Sequence, residues 1–272
     1  MTAWYSTGGR ITAVPADDRG LQYGDGLFET IAIREGRPRL LRQHLTRLAE
    51  GCRRLELPYP GDDQVEALLR DILADNSEPV NGIVKLVLTA GEGPRGYARP
   101  PTPTPRLIGR FSAYRGLDAS LYEQGVAVDW SDITASIQPA LAGIKSLNRL
   151  DQVLARQRLG GQFEHLLCDL ESRIICGTMS NVMLVIDEQL VTPDLSRAGV
   201  AGVMRSAILE TVDDIIVRDV HAEEAERASE ILLCNSQFGV LPVASLGGRP
   251  LRNHAAFETI RQVLQIVGVT EP

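Results

Sequence analysis

The sequence predicts an α+β protein of two domains, and three observations lead to this prediction. The chain has 272 residues, which is long for a single hydrophobic core. Its apolar fraction of 44% and its charged fraction of 23% are those of an ordinary globular protein. Its second half contains many short strand-like segments and only a few helical ones. We expect an N-terminal α/β-containing domain over 1–114 and a C-terminal domain over 115–272.

The first domain is expected to contain four strands and two helices. In order, these are strands at 10–14 and 27–34, helices at 41–56 and 63–74, and strands at 82–88 and 107–113. Apolar residues at steps of three and four predict the first helix, which Pro58 ends, and Asp62 or Asp63 is expected to cap the second. A polar turn is predicted at 17–20. The glycine- and proline-rich stretch 91–105 predicts a loop of the kind that carries binding residues.

The second domain is expected to combine short strands with a few helices. The predicted strands lie at 126–130, 164–169, 173–175, 181–186, 189–191, 214–219 and 230–234. The predicted helices lie at 146–159, 202–212, 222–228 and 254–267. A mixture of this kind is typical of an α+β domain.

The composition argues against several classes of protein. The formal net charge is −7 and the basic residues are scattered among acidic ones, so the basic surface of a nucleic-acid-binding protein is absent from the sequence. No apolar run approaches the roughly 20 residues that span a bilayer, and the N-terminal residues do not resemble a secretory signal. The four cysteines and four histidines show no metal-ligand spacing. We expect a cytoplasmic protein with no metal, nucleic-acid or membrane partner.

Lysine is rare in this chain, and its rarity singles out Lys145. The sequence has 28 basic residues, of which only Lys85 and Lys145 are lysines. Arginine stays protonated, whereas a desolvated lysine amine can lose its proton and form a Schiff base. The apolar neighbours of Lys145, such as Ile144 and Leu147, predict such desolvation. Lys85 lies in the middle of a predicted strand, where a structural role or a contact with a substrate carboxylate are both possible.

Two segments are candidates for binding a phosphate group. Gly202 precedes a predicted helix, so the amides of Val203 and Met204 would lie at its positive end. Arg47 lies between inward-facing leucines of the first predicted helix, and its guanidinium has the fork geometry that suits phosphate. Taken alone, the glycine is equally compatible with a simple turn and the arginine with a surface position.

Two further segments place polar side chains at strand ends. Asp25 lies between two glycines just before a strand, where it is expected to satisfy backbone donors in a tight turn. Thr30 faces the same side of that strand as Phe28, because side chains alternate. Asn235 and Ser236 follow a strand, which suits either ligand contacts or the capping of a turn.

Together these segments resemble the fold-type IV pyridoxal-phosphate enzymes, a family of aminotransferases and lyases. The resemblance rests on R-G-x-x-x-G-D-G-x-F-E-T, H-x-x-R-L, G-I-K-x-L-N-R-L, S-N-V and A-G-V-M-R, in this order from about Asp18 to Val243. Segments 141–154 and 95–97 and the pair Cys234-Asn235 are most similar to the lyase branch. That branch splits 4-amino-4-deoxychorismate into 4-aminobenzoate and pyruvate in folate synthesis. The resemblance implies a homodimer with pyridoxal 5'-phosphate in a cleft between two domains.

The resemblance also assigns roles to individual residues. It implies that Lys145 forms the Schiff base and acts as general acid and base, with Thr30 near the reacting carbon. The residues implied to bind the cofactor are Arg47, Lys145, Cys176, Val203, Met204 and Ser236. The residues implied to bind the substrate are Arg95, Tyr97 and Asn235, the first two on a loop that can reach the neighbouring subunit. An aminotransferase of the same fold, or a non-catalytic pyridoxal-phosphate-binding protein, are the alternatives.

The sequence departs from the family at one position. Members usually carry a glutamate five residues before the asparagine that matches Asn181, and this glutamate pairs with the pyridine nitrogen. This chain has Cys176 there, and Glu171 lies in the wrong register. A carboxylate keeps the ring nitrogen protonated, whereas a neutral thiol does not. Efficient transamination is therefore in doubt, and the partner of the ring nitrogen is left open.

Overall fold

The structure is a computed structural model that describes residues 3–76, 81–251 and 254–266. The chain divides into two compact units. Unit 1 consists of Met1–Arg115 together with Ile144–Asn148, and unit 2 of Gly116–Gly143 together with Arg149–Pro272. The boundary predicted after residue 114 thus lies beside the observed one. Residues 144–148, which carry Lys145, group with unit 1 and not with the C-terminal part of the chain.

The described residues form eight helices and fifteen strands. The helices are α1 (Arg19–Tyr23), α2 (Leu41–Arg54), α3 (Asp62–Ala74), α4 (Ser120–Gln124), α5 (Leu150–Gln157), α6 (Val203–Thr211), α7 (Ala222–Ala225) and α8 (Ala255–Ile266). The strands of unit 1 are β1 (Trp4–Ser6), β2 (Gly9–Ile11), β3 (Gly26–Arg34), β4 (Arg37–Pro38), β5 (Asn81–Thr89) and β6 (Arg106–Ala113). The strands of unit 2 are β7 (Val126–Trp130), β8 (Glu164–Cys168), β9 (Ile174–Gly177), β10 (Asn181–Ile186), β11 (Gln189–Pro193), β12 (Ile216–Arg218), β13 (Glu230–Asn235), β14 (Gly239–Leu246) and β15 (Arg249–Pro250).

Unit 1 is built on one antiparallel sheet with the strand order β2-β1-β6-β5-β3-β4. Helices α2 and α3 contact this sheet at β3 and β6. The approach is close, because a Cβ atom added at Gly109 of β6 would lie 2.8 Å from the side chain of Ile72 in α3. Alternate residues of β5, such as Val84 and Leu86, are buried, which is the pattern of a sheet with one covered face.

Unit 2 contains a mixed sheet with the strand order β12-β11-β10-β13-β14-β7-β8-β9, and β15 also pairs with β14. Strand β7 runs parallel to both of its neighbours, β14 and β8. Strands β10 and β13 are buried over most of their length, since apolar residues occupy nearly every position. The core of unit 2 therefore lies around these central strands.

Most predicted elements are present, but several details differ. The turn predicted at 17–20 is the start of helix α1, which Asp18 caps by accepting a hydrogen bond from the Gly20 amide at 2.9 Å. Asp62 and Asp63 do not cap α3; they lie in its first turn, and Gly61 is the capping residue. Strands β1, β4, β14 and β15 and helix α4 were not predicted. The helix predicted from residue 146 begins only at Leu150.

The late start of α5 has a structural cause. The backbone amide of Phe28 donates to the carbonyl of Lys145 at 2.9 Å, and the amide of Leu147 donates to the carbonyl of Gly26 at 3.0 Å. These bonds hold residues 145–147 beside β3, so the backbone there is not free to form a helix. The same bonds explain why Lys145 belongs to unit 1.

Candidate functional site

Lys145 lies against the sheet of unit 1. Leu27 and Ser146 form an isolated bridge, which fixes the lysine beside Phe28 of β3. The Nζ atom of Lys145 is 4.5 Å from the centroid of the Phe28 ring, within the range of a cation–π contact. The side chain is half-buried. A primary amine is thus held over an aromatic face at a fixed position on the sheet.

The other lysine of the chain approaches the same ring. Lys85 of β5 is paired in register with Thr30 of β3, and its Nζ atom is 5.3 Å from the Phe28 centroid. Lys85 is exposed, and burial of part of its side chain together with the charge of Arg110 lowers the pKa of its amine. Both lysines therefore lie near the Phe28 ring. Thr30 faces the same side of β3 as Phe28, as the alternation of side chains along a strand predicts.

A buried ion-pair network lies behind these residues. Glu29 of β3 is 2% exposed and accepts hydrogen bonds from the Nε atom of Arg47 at 2.8 Å and from the Nδ1 atom of His44 at 2.6 Å. Burial alone would raise the pKa of Glu29, but the charge and hydrogen bonds of Arg47 and the hydrogen bond of His44 hold it low, at about 2. Burial lowers the pKa of His44, so its imidazole is neutral at pH 7. Arg47 is therefore held in one orientation by a carboxylate.

The loop between β5 and β6 exposes the two residues that were expected to contact substrate. Arg95 and Tyr97 are both exposed, and the Tyr97 ring stacks edge-on against Tyr23 of α1 at 5.4 Å. The backbone of this loop is held by Arg19, which is 3% exposed. Its guanidinium donates to the carbonyls of Gly96, Tyr97 and Ala98 at 3.0, 2.6 and 3.2 Å.

Asp25 binds two arginines of unit 1, Arg19 and Arg99. Asp25 accepts from the Nε atoms of Arg19 and Arg99, each at 2.9 Å, and it does not satisfy backbone donors as predicted. The hydrogen bonds of these arginines lower the pKa of Asp25 despite its burial. A cavity of about 470 Å³ opens beside this cluster. It is lined by Arg19, Tyr23, Asp25, Tyr97, Arg99 and Asn148, among others.

Loss of the Arg19 side chain is expected to loosen the loop. Three carbonyls would lose their donor in Arg19→Met, so trypsin should cleave after Arg95 about tenfold faster, equivalent to about 1.4 kcal/mol of local opening. The measurement is the rate of cleavage of the Arg95–Gly96 bond by mass spectrometry under native conditions. Arg37→Met is the control, because Arg37 is exposed on β4. Equal rates in the two variants would show that Arg19 does not hold the loop.

Unit 2 provides a helix N-terminus with free amides. Gly202 is the N-cap residue of α6, and no side chain caps this helix. A Cβ atom added at Gly202 would lie 2.0 Å from Oδ1 of Asn181, so only glycine fits there. Asn181 donates from Nδ2 to the carbonyl of Val200 at 2.9 Å, which fixes the preceding turn. The first amides of α6 belong to Val203 and Met204, and this uncapped cradle fits a phosphate group.

The polar pair after β13 makes a turn. Oδ1 of Asn235 accepts from the amides of Gln237 and Phe238 at 2.8 and 3.0 Å, and its Nδ2 atom donates to the carbonyl of Met179 at 3.2 Å. The hydroxyl of Ser236 accepts from Nε2 of Gln237 at 3.1 Å. The capping interpretation therefore holds for Asn235, and its amide group is already engaged on both atoms.

Cys176 lies in an apolar cluster of unit 2. It is 6% exposed and groups with Leu167, Ile175 and Ala198. Glu171, the other residue considered for the ring nitrogen, is paired with Arg173 at 2.9 Å, and its side chain is 65% exposed. Strand β9 thus carries a thiol among apolar side chains.

A buried glutamate that the sequence did not reveal orders the segment after Cys176. Glu164 is fully buried and accepts hydrogen bonds from the amides of Thr178 and Met179 at 3.0 and 3.2 Å and from the Ser180 hydroxyl at 2.9 Å. It also accepts from the Thr178 hydroxyl. These bonds fix the turn that leads into β10, where Asn181 begins. No periodicity marks Glu164, because the residues of the turn that it orders lie 14 to 16 positions away in the sequence.

The predicted site residues fall into two groups, one in each unit. Unit 1 holds Lys145, Thr30, Arg47, Arg95 and Tyr97, and unit 2 holds the remaining ones, namely Cys176, Val203, Met204, Asn235 and Ser236. Within residues 3–76, 81–251 and 254–266, no group of three or more His, Cys, Asp or Glu side chains could hold a metal ion. No helix in these ranges combines the length and the apolar character needed to cross a membrane.

Comparison with known proteins identifies relatives over nearly the whole chain. The family model for amino-transferase class IV matches residues 26–246. An aminodeoxychorismate lyase of Vibrio harveyi is 33% identical over 247 residues, which cover 86% of this chain and 88% of that protein. The crystal structure of 4-amino-4-deoxychorismate lyase from Pseudomonas aeruginosa is 41% identical, with a TM-score of 0.89 over 98% of this chain and 99% of that one. The branched-chain amino acid aminotransferase of Escherichia coli shares the fold at 21% identity, with a TM-score of 0.85 over 99% of this chain and 96% of that one.

Proposed function

Because the chain belongs to the amino-transferase class IV family, we propose that it is an aminodeoxychorismate lyase. The reaction converts 4-amino-4-deoxychorismate into 4-aminobenzoate and pyruvate, a step of folate synthesis. The position of the Lys145 amine over Phe28, on the strand that also carries Thr30, supports this proposal. This chain is 33% and 41% identical to two lyases but 21% identical to the branched-chain amino acid aminotransferase of Escherichia coli. This difference in identity supports the lyase branch.

The proposed cofactor is pyridoxal 5'-phosphate, and the donor set fits it. The uncapped amides of Val203 and Met204 are suited to the phosphate, with Arg47 and Ser236 as further donors. Lys145 supplies the amine that binds the cofactor aldehyde. When bound, the cofactor would supply an aldehyde for the substrate amine and a ring that withdraws electrons from the carbon next to that amine. The thiol of Cys176 is proposed to lie near the ring nitrogen in place of the glutamate of other members.

The amine of Lys145 is proposed to move the proton of the reaction. It accepts the proton from the ring carbon that bears nitrogen, and the carbon–oxygen bond to the enolpyruvyl group breaks. The departing group takes up a proton from Lys145 or from the hydroxyl of Thr30 and becomes pyruvate. Substrate and products balance without water, oxidant or reductant, and the remaining ring becomes aromatic. We propose that this gain of aromaticity drives the reaction, so that the thiol of Cys176 can take the place of the glutamate that other members have near the ring nitrogen.

The substrate-binding residues are proposed to act in a homodimer. Arg95 and Tyr97 are exposed in the single chain, at the end of a loop that Arg19 holds in place. Such exposure suits residues that complete the site of a neighbouring subunit, where Arg95 would bind a substrate carboxylate. Asn235 is proposed to bind the substrate through the second hydrogen of its Nδ2 atom, while its other contacts hold the turn. The enzyme is proposed to act in the cytoplasm.

Mixing the protein, loaded with cofactor, with 4-amino-4-deoxychorismate alone tests this function. A lyase releases one pyruvate for each 4-aminobenzoate without any added keto acid, and lactate dehydrogenase with NADH detects it. An aminotransferase of the same fold needs a keto acid as amino acceptor. Turnover that appears only after 2-oxoglutarate or pyruvate is added would reject the lyase in favour of that alternative.

A further inference from the structure

A row of cationic side chains crosses the sheet of unit 1 beside the lysine site. Thr30 of β3 is paired with Lys85 of β5, and Lys85 is paired in turn with Arg110 of β6. Side chains at paired positions project from the same face of a sheet, so the three form one row. The guanidinium of Arg110 lies 5.1 Å over the ring of Trp4 in β1, which continues the row. The other face of these strands is the one that α2 and α3 cover.

The two cations of this row lack a counter-charge on the protein. In the described part of the chain, neither Lys85 nor Arg110 forms an ion pair with a carboxylate, and the buried Nε atom of Arg110 has no hydrogen-bond partner. Glu29, the acidic residue of β3, faces the opposite side by alternation and is bound to Arg47. Like charges directly opposite one another destabilise a sheet, and a buried guanidinium nitrogen without a hydrogen-bond partner is costly. An arrangement of this kind is stabilised when an anion binds.

The row lies next to the reacting amine. Lys85 and Lys145 place their Nζ atoms 5.3 and 4.5 Å from the centroid of one ring, that of Phe28. A ligand held by Lys145 above this ring is therefore within reach of Lys85. The substrate proposed above carries two carboxylates, one on its six-membered ring and one on its enolpyruvyl group. Neither Lys85 nor Arg110 was among the residues that the resemblance assigned to substrate.

We propose that Lys85 and Arg110 form a carboxylate-binding subsite for the substrate. This proposal rests on the proposed function, since it names the residues that receive one of the two carboxylates. Lys85, whose side chain is exposed, contributes an ammonium group. Arg110 contributes the second positive charge, and its guanidinium lies over the ring of Trp4. Together they favour dianionic over monoanionic substrates at the amine site.

The subsite is tested by removing one charge at a time. In Lys85→Met and Arg110→Met, KM for 4-amino-4-deoxychorismate should rise between about 10- and 100-fold, the range expected for a lost charge-assisted hydrogen bond, while kcat falls much less. Lys85→Arg keeps the charge and should bring KM back to within about threefold of the unmodified enzyme. Arg37→Met, which removes an exposed arginine of the same unit, should leave KM unchanged. Unfolding midpoints measured for each variant separate lost binding from lost folding.

Binding of simple ligands makes the test independent of turnover. Calorimetry with 4-aminobenzoate, which keeps only the ring carboxylate, and with pyruvate distinguishes the two carboxylates. Loss of 4-aminobenzoate binding in Lys85→Met assigns the ring carboxylate to the subsite, and loss of pyruvate binding assigns the other one. Both results support the proposal even if no lyase turnover is found, in which case the proposed function alone fails. Unchanged KM and unchanged binding of both ligands in Lys85→Met and Arg110→Met would overturn it.

Discussion

Replacement of Lys145 by alanine is expected to reduce pyruvate release by about 10³-fold or more, because the residue is proposed to supply the amine that accepts and returns the proton. Neither Thr30 nor Lys85 is expected to replace this amine. The side chain of Thr30 ends in a hydroxyl, and Lys85, the only other lysine of the sequence, lies on β5. Arginine at position 145 would keep the cation–π contact with Phe28 but would stay protonated, so Lys145→Arg should be equally inactive. The measurement is single-turnover release of pyruvate from the cofactor-loaded protein.

The second lysine provides the matched control for this experiment. Borohydride reduction of the loaded protein, followed by peptide mapping, should place the cofactor label on the peptide that contains Lys145. Lys85→Arg should retain this label, whereas Lys145→Arg should lose it together with the yellow absorption. A label found on Lys85 would contradict the assignment of the amine and, with it, the proposed chemistry.

The candidate site could be predicted from the sequence where its chemistry depends on unusual residue types. The scarcity of lysine pointed to Lys145, and the glycine before α6 pointed to a helix N-terminus that the structure shows to be uncapped. The periodicity of α2 was equally clear, because its apolar residues cover one face. These features depend on residues that are neighbours in the sequence.

Contacts between distant segments could not be predicted in this way. Arg19 holds carbonyls 77 to 79 residues away, and Glu164 holds a turn that begins 14 residues later. Neither residue lies in a periodic pattern, and their short-range partners, Asp25 for Arg19 and the His165 amide for Glu164, do not distinguish them from surface charges. Residues 146–149 were predicted as the start of a helix for the same reason, since the hydrogen-bond partners of Lys145 and Leu147 lie on β3. Local propensity therefore gave the elements but not the network that positions the loop and the lysine.

Glu29→Gln is expected to destabilise unit 1 strongly. The neutral amide cannot balance the charge of Arg47, which is 11% exposed, and breaking a buried ion pair by removing one partner typically costs about 3–5 kcal/mol. The free energy of unfolding, measured with urea at pH 7, should fall by an amount in this range. Binding of pyridoxal phosphate should also weaken, because Arg47 would no longer be held in one orientation.

The pH dependence of the free energy of unfolding is a second test of the ion pair between Glu29 and Arg47. The pKa of Glu29 is about 2 in the folded protein and lies near 4.5 in an unfolded chain, so its contribution is present above pH 4.5 and is lost as the pH falls toward 2. A difference of this size corresponds to about 3 kcal/mol. The stability gap between the unmodified protein and Glu29→Gln should therefore be widest above pH 4.5 and should narrow steadily at lower pH.

An exposed glutamate of the same unit separates this effect from a general loss of charge. Glu50 of α2 accepts two hydrogen bonds from Arg53, but its side chain is 46% exposed, so water already screens the pair. Glu50→Gln should leave the urea midpoint unchanged between pH 4.5 and 7. If both variants lost the same stability, or if the gap for Glu29→Gln did not narrow in acid, the carboxylate at position 29 would not be the charged partner of Arg47. The proposed orientation of Arg47 toward a cofactor phosphate would then have to be explained by other contacts.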